Sequence, residues 1–198
     1  MTDAKRRRSG RLRLALLALL FLAPPLAAFL VYVVVPEWIP QERVNHGTLV
    51  TPARPLPQLD LVDAAGAPVP DAALRGKWSL ILLGGPACAA TCRERLWVTR
   101  QVRLALDKKR QRVQRVYLAP EAVMLAGLEL DAAHRDLLVL ADAGEPGARA
   151  AEFFGAPAPD TLVLTDPNGN WLMVYAGDLD PKGLLKDLKR LLRFSRIG

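Results

Sequence analysis

Cys88 and Cys92 are the only two cysteines of the 198-residue chain, and they stand four positions apart in Cys88-Ala89-Ala90-Thr91-Cys92. Two thiols at this spacing can do two kinds of chemistry. Residues i and i+4 share a helix face, so the pair can cycle between dithiol and disulfide once its Cα atoms lie within about 6.8 Å. Reduced, the same two sulfurs suit a soft ion, and Cu(I) prefers thiolate ligands. A purely structural disulfide is the competing explanation. The loop it would close is very short and would stabilise the fold little, which favours a functional pair.

The elements on either side would position it. Trp78-Ser79-Leu80-Ile81-Leu82-Leu83 is a short apolar run between Gly76 and Gly84-Gly85-Pro86, the pattern of a buried strand. A long charged stretch of helical character follows, from about Ala90 to Lys109. The pair thus sits where a strand hands over to a helix N-terminus, where backbone N–H groups and the helix dipole stabilise a thiolate. Cys88, in the loop, is expected to be the exposed attacking thiol and Cys92 the resolving one. Arg93 and Arg95 add positive charge, which lowers thiol pKa values. Two thiolates alone would hold Cu(I) openly, a geometry suited to transfer. Other donors are His134, Met124, Met173 and His46; the two methionines read as core and His46 as a solvated loop residue.

The formal net charge is +7. Six cations against Asp3 in residues 1–13 account for most of it, and residues 14–35 carry no charged side chain. About 20 apolar residues cross a bilayer as a helix, so 14–35 is expected to span one. A cleaved signal peptide would have a shorter apolar core and a small-residue cleavage site; here Phe29 to Val35 simply extends the run. Pro24-Pro25 suggests a kink, and Trp38 suits the far interface. The basic residues 1–13 should stay cytoplasmic. Richness in Ala, Leu, Arg and Pro looks like a GC-rich bacterial gene, giving a bacterial inner-membrane protein with its C-terminal part periplasmic, where disulfides form.

Residues 36–57, proline-rich and without periodicity, read as a periplasmic linker, and 58–198 as one domain. Its expected elements are mixed α/β. Strands fall near 59–62, 80–83, 113–118 and 137–140, with a helix over 148–154. Residues 161–164 and 171–175 should form a hairpin around Asp166-Pro167-Asn168-Gly169, and a last helix starts near Asp180-Pro181. The run Arg93 to Arg115 is strongly basic, which reads as a solvated helix face before a partner or anionic-lipid surface. Nucleic acid is not expected outside the cytoplasm. No phosphate-binding loop or nucleophile elbow occurs.

This order of elements, with Leu74-Arg75-Gly76-Lys77 before the apolar strand and the paired cysteines after it, resembles the thioredoxin-like fold. Within it the chain is similar to the Sco family of cytochrome oxidase assembly proteins, which carry a membrane anchor, a tethered thioredoxin-like domain and a Cys-x-x-x-Cys pair. The resemblance implies copper(I) handling and thiol–disulfide exchange at the copper centre of cytochrome c oxidase, through Cys88 and Cys92. It also implies a cis-proline against the pair, at Pro157 or Pro159. The chain departs from the family in two places. The loop expected to supply a third copper ligand, a histidine, reads Gly155-Ala156-Pro157-Ala158-Pro159-Asp160, and Arg93 stands where a proline usually follows the second cysteine. A general periplasmic thiol–disulfide reductase and a non-catalytic binding module are the alternatives on the same fold.

Overall fold

The computed structural model describes residues 3–34, 45–128, 132–144, 150–195 and 197. They fall into two compact units divided between Val44 and Asn45.

Among the described residues the N-terminal unit contains one helix, α1 (Asp3–Val34). Its stretch Arg13–Val34 has a mean hydropathy of 2.6 and is long and apolar enough to cross a membrane. Pro24 and Pro25 lie inside it. The expectation for Trp38 falls outside the described residues.

The second unit is built on one eight-stranded sheet: β1 (Thr48–Pro55), β2 (Leu61–Asp63), β3 (Pro68–Val69), β4 (Trp78–Leu83), β5 (Val113–Ala119), β6 (Leu137–Asp142), β7 (Leu162–Thr165) and β8 (Asn170–Tyr175). Their order across the sheet is β1-β8-β7-β4-β5-β6-β2-β3. β4, β5 and β6 run parallel, and the outer pairings are antiparallel. The helices are α2 (Ala90–Leu104), α3 (Ala150–Phe153) and α4 (Pro181–Phe194).

β4 is central and buried along its whole length, which is why it reads as an unbroken apolar run and does not alternate. Its side chains serve two cores. Trp78, Leu80 and Leu82 face a layer with α2 and α4, including Leu96, Val102, Leu184 and Leu188. Ile81 and Leu83 face the other layer, with Leu74, Phe154 and Trp171. Trp171 packs edge-on against Phe154 at 5.0 Å. The closing half follows local chemistry. Asp166 accepts from the backbone N–H of Asn168 and Asn170, and Gly169 supplies the positive φ that the turn demands. Asp180 caps α4 by accepting from Lys182 and Gly183 N–H, each at 2.9 Å, with Pro181 at the first helical position.

Two expectations differ from this architecture. Part of the stretch read as linker, 48–55, is the edge strand β1, paired with β8. An edge strand tolerates proline and needs little apolar alternation, so its sequence does not announce it. His46 is an exposed bend residue just before β1, in keeping with its reading as a solvated loop residue, and its backbone is held by α4. Buried Asp187 on α4 accepts from the backbone N–H of His46 and Gly47 and from the Tyr175 hydroxyl, and lies 3.4 Å from His46 Nδ1. The helix expected over 90–109 ends at Leu104; a 3₁₀ turn, Asp107–Arg112, follows, with Asp107 at φ +50.

Candidate functional site

Cys88 and Cys92 are joined as a disulfide, with their Cα atoms 5.0 Å apart. β4 delivers the chain to the site and α2 carries it away. Gly84 N–H donates to Leu118 O at 2.8 Å, fixing the strand end beside β5. A Cβ at Gly84 would run into the Tyr117 ring (Cζ at 2.6 Å), and one at Gly85 would sit 2.9 Å from Pro159. The glycine pair therefore lets the approach to the cysteines lie flat against two neighbouring segments.

The two sulfur-bearing residues are placed unequally. Cys88 is half-buried and precedes the helix, while Cys92 is fully buried in the α2 core. Ala89 is the N-cap and offers no side-chain oxygen. The first-turn N–H groups of α2 are therefore left without side-chain acceptors, next to Cys88. That is the environment in which a thiolate gains from the helix dipole.

The segment 158–160 crosses beside this point. Asp160 N–H donates to Leu83 O at 2.7 Å, and Leu83 N–H donates to Thr161 O at 2.9 Å. Arg95, one turn beyond Cys92, is buried, and its guanidinium donates to the carbonyls of Asp160 and Gly177. Arg95 was expected to act as a charge beside the thiols; its guanidinium instead ties two loops to α2. Asp160 Oδ1 is buried and has no hydrogen-bond partner. Burial raises the Asp160 pKa above the ordinary carboxylate range, with attraction to Arg95 opposing. The Tyr117 pKa is also raised, first by burial and then by the charge of Asp160. A half-buried carboxyl and a buried phenol thus interact beside the Gly84-Gly85 approach to the cysteines. In the sequence Asp160 stands only as the last residue of the loop that lacks a histidine. Nothing local in Pro159-Asp160-Thr161 signals that one carboxylate oxygen is shut away from water.

Pro157 and Pro159 were expected to include a cis-proline, and neither is one; among the described residues the only cis peptide bond is Thr51–Pro52. The strained backbone of this loop lies instead at Ala156 and Asp160, with φ of +47 and +65.

The additional metal donors are engaged elsewhere. His134 Nδ1 lies 3.2 Å from the Arg115 guanidinium, where a second cation is unfavourable. Met173 is buried beneath the Tyr175 hydroxyl, Met124 packs against the α2 core, and His46 faces Asp187. Among the described residues no three His, Cys, Asp or Glu form a metal-sized cluster. A soft metal at this site would rest on the reduced sulfurs of Cys88 and Cys92.

The basic run also resolves into distinct parts. Arg115 is 1% exposed, donating to Leu96 O, Thr99 Oγ1 and Asp136. Its pKa is lowered by burial, which Asp136 opposes. Arg103 shares Asp136 at 3.0 Å. These two arginines brace β5 and the 132–136 segment against α2 and are not part of a solvated face.

Comparison with known proteins gives the following. A family model described as transmembrane-like, thioredoxin-like, C-terminal domain matches residues 78–195. No curated protein matches the sequence. Among solved structures the chain is similar to ScoI of Arabidopsis thaliana with copper bound, at 18% identity and a TM-score of 0.56, covering 69% of this chain and 97% of that one. It is similar to BsSco, a member of the Sco family of cytochrome c oxidase assembly proteins with a disulfide switch, at 13% identity and a TM-score of 0.54, covering 75% and 99%. The exposed lipoprotein thioredoxin Etrx1 of Streptococcus pneumoniae matches at 16% identity and a TM-score of 0.52, covering 68% and 100%. At such identities the likeness is one of fold.

Proposed function

The chain belongs to the transmembrane-like, thioredoxin-like C-terminal domain family, and from that premise we propose that it is a membrane-anchored thiol–disulfide exchange protein whose reacting atoms are the sulfurs of Cys88 and Cys92. The observation that carries this reading is the inequality of the pair. Cys88 is half-buried at a helix N-terminus without a side-chain cap, and Cys92 is fully buried one turn away. In the reducing direction, the Cys88 thiolate attacks a partner disulfide. The first partner sulfur leaves as a thiolate and a mixed disulfide forms. Cys92 then loses its proton and attacks Cys88 Sγ, releasing the second partner thiolate. The partner gains two electrons and the protein ends as the disulfide seen here. A dithiol reductant must restore the pair. Run backwards, the same steps oxidise a partner dithiol.

The anchor is the span 14–35, with residues 1–13 cytoplasmic, 36–44 as tether and the domain periplasmic, in a bacterial inner membrane. The partner class we infer is the thiol pair of a copper site in cytochrome c oxidase, supported by the Sco-like neighbours and by the anchored domain. Cu(I) is the cargo in a companion reading, favoured by the copper-bound neighbour and by the softness of two thiolates. Exchange is the leading reading because it needs only the two sulfurs, whereas among the described residues no group of three His, Cys, Asp or Glu is assembled to help hold a metal. The test is genetic and chemical: replace Cys88 and Cys92 by serine and measure oxidase copper content and activity. Loss of both supports the reading. Unchanged oxidase in the variant, with the wild type still exchanging other disulfides, would leave a general reductase.

A further inference from the structure

The outer face of α4 carries a stripe of charge that the exchange reaction does not use. Lys182, Lys186, Lys189, Arg190 and Arg193 are all exposed, and they recur at spacings that keep them on one side of the helix. No acid balances them within α4, whose single acid, Asp187, is turned inward and 4% exposed. The opposite side, Leu184, Leu188 and Leu192, is in the core. α2 lies next to α4 on the same face of the sheet. Its outer ridge presents Trp97, 57% exposed, near the exposed Arg93 and Glu94. Phe194, at the end of α4, is 74% exposed with Arg193 over its ring at 5.8 Å. One broad face thus combines lysines and arginines with bulky aromatic side chains standing in water. Indole and phenyl rings beside cations suit the headgroup layer of a bilayer, where the ring meets the acyl boundary and the charge meets phosphate.

We infer that the α2–α4 face docks on anionic phospholipid headgroups, laying the domain against the bilayer that anchors the chain. This rests on α1 being a membrane anchor. Ten residues separate Val34 from Asn45, a covalent reach of at most about 35 Å, so the domain is held at high local concentration near its own membrane. Charge complementarity selects the lipid: each cation near an anionic surface adds favourable energy that salt screens. Docking would bring the N-terminal end of α2, and with it Cys88, toward thiols close to the bilayer.

The full-length chain, reconstituted in nanodiscs carrying brominated acyl chains, tests this. The Trp97 contribution is the difference in fluorescence between the wild type and Trp97→Phe. In discs of mixed phosphatidylcholine and phosphatidylglycerol it should be quenched. The quenching should be lost in phosphatidylcholine alone, at high salt, and in Lys182→Gln/Lys186→Gln/Lys189→Gln/Arg190→Gln, whose side chains are exposed and whose circular dichroism should match the wild type. An unquenched Trp97 in the anionic discs overturns the inference. So does quenching that persists in neutral discs or in the quadruple variant. Failure of the chain to co-purify with discs, scored before any quenching is read, would overturn the anchor reading on its own and remove the premise of docking.

Discussion

At the level of single residues, the inequality of the two cysteines has a direct consequence. Cys92→Ser leaves the reachable thiol able to attack and nothing to resolve it, so the variant should accumulate a mixed disulfide with an added protein disulfide. Cys88→Ser should accumulate none, because the remaining thiol is buried. Mass spectrometry after acid quenching distinguishes the two. Asp160 yields a prediction with a definite sign. Its folded pKa is raised by burial, so the native state holds the proton more tightly than the unfolded chain does. Stability from this group is complete below the ordinary carboxylate pKa of about 3.9 and falls as pH rises through the higher native value. Asp160→Asn should therefore melt higher than the wild type near neutrality, and the gain should disappear in acid. Thermal melts across that range check it. Only part of this was legible beforehand. The thiol pair and its unequal exposure follow from Cys88-Ala89-Ala90-Thr91-Cys92 lying between a strand and a helix. The burial of Asp160 depends on Leu83, Arg95 and Tyr117 meeting it from three other segments, and no local pattern records that.

Among the elements, α4 does two opposite things along its length. Inward, Asp187 collects the donors of His46, Gly47 and Tyr175 and so fixes the start of β1 to the helix. Tyr175 is correspondingly pushed far above the usual phenol range, by burial first and then by Asp187. Asp187→Ala should leave two backbone N–H groups without an acceptor and the buried Tyr175 phenol with only the weak Met173 sulfur. A loss of about 2–4 kcal/mol is expected, measured by urea unfolding. β4, β5, β6, the β7–β8 hairpin and α4 were all readable, because apolar runs, Asn168-Gly169 and Asp180-Pro181 are strong local signals. β1 was not, since Thr51-Pro52 and Arg54-Pro55 look like a linker and its pairing is supplied by β8. The end of α2 was overrun for a related reason. The charged run continues past Leu104, and the break comes from the backbone at Asp107 and not from a helix-breaking residue type.

For the whole molecule, the account makes an anchored domain with a disulfide that opens and closes. The helix long and apolar enough to cross a membrane was legible from the uncharged span 14–35 beside six cations, and the fold from the alternation of strands and helices. The identity of the partner lies in surfaces that meet only after folding. The central claim is that Cys88–Cys92 is an exchanging disulfide and not a staple, and its reduction potential tests this most directly. Equilibration of the full-length chain in detergent with graded thiol couples, followed by thiol trapping, would give the value. The account predicts a potential within about −270 to −120 mV, the range of exchanging protein dithiols. A value below about −300 mV, with no mixed disulfide formed by Cys92→Ser, would contradict it.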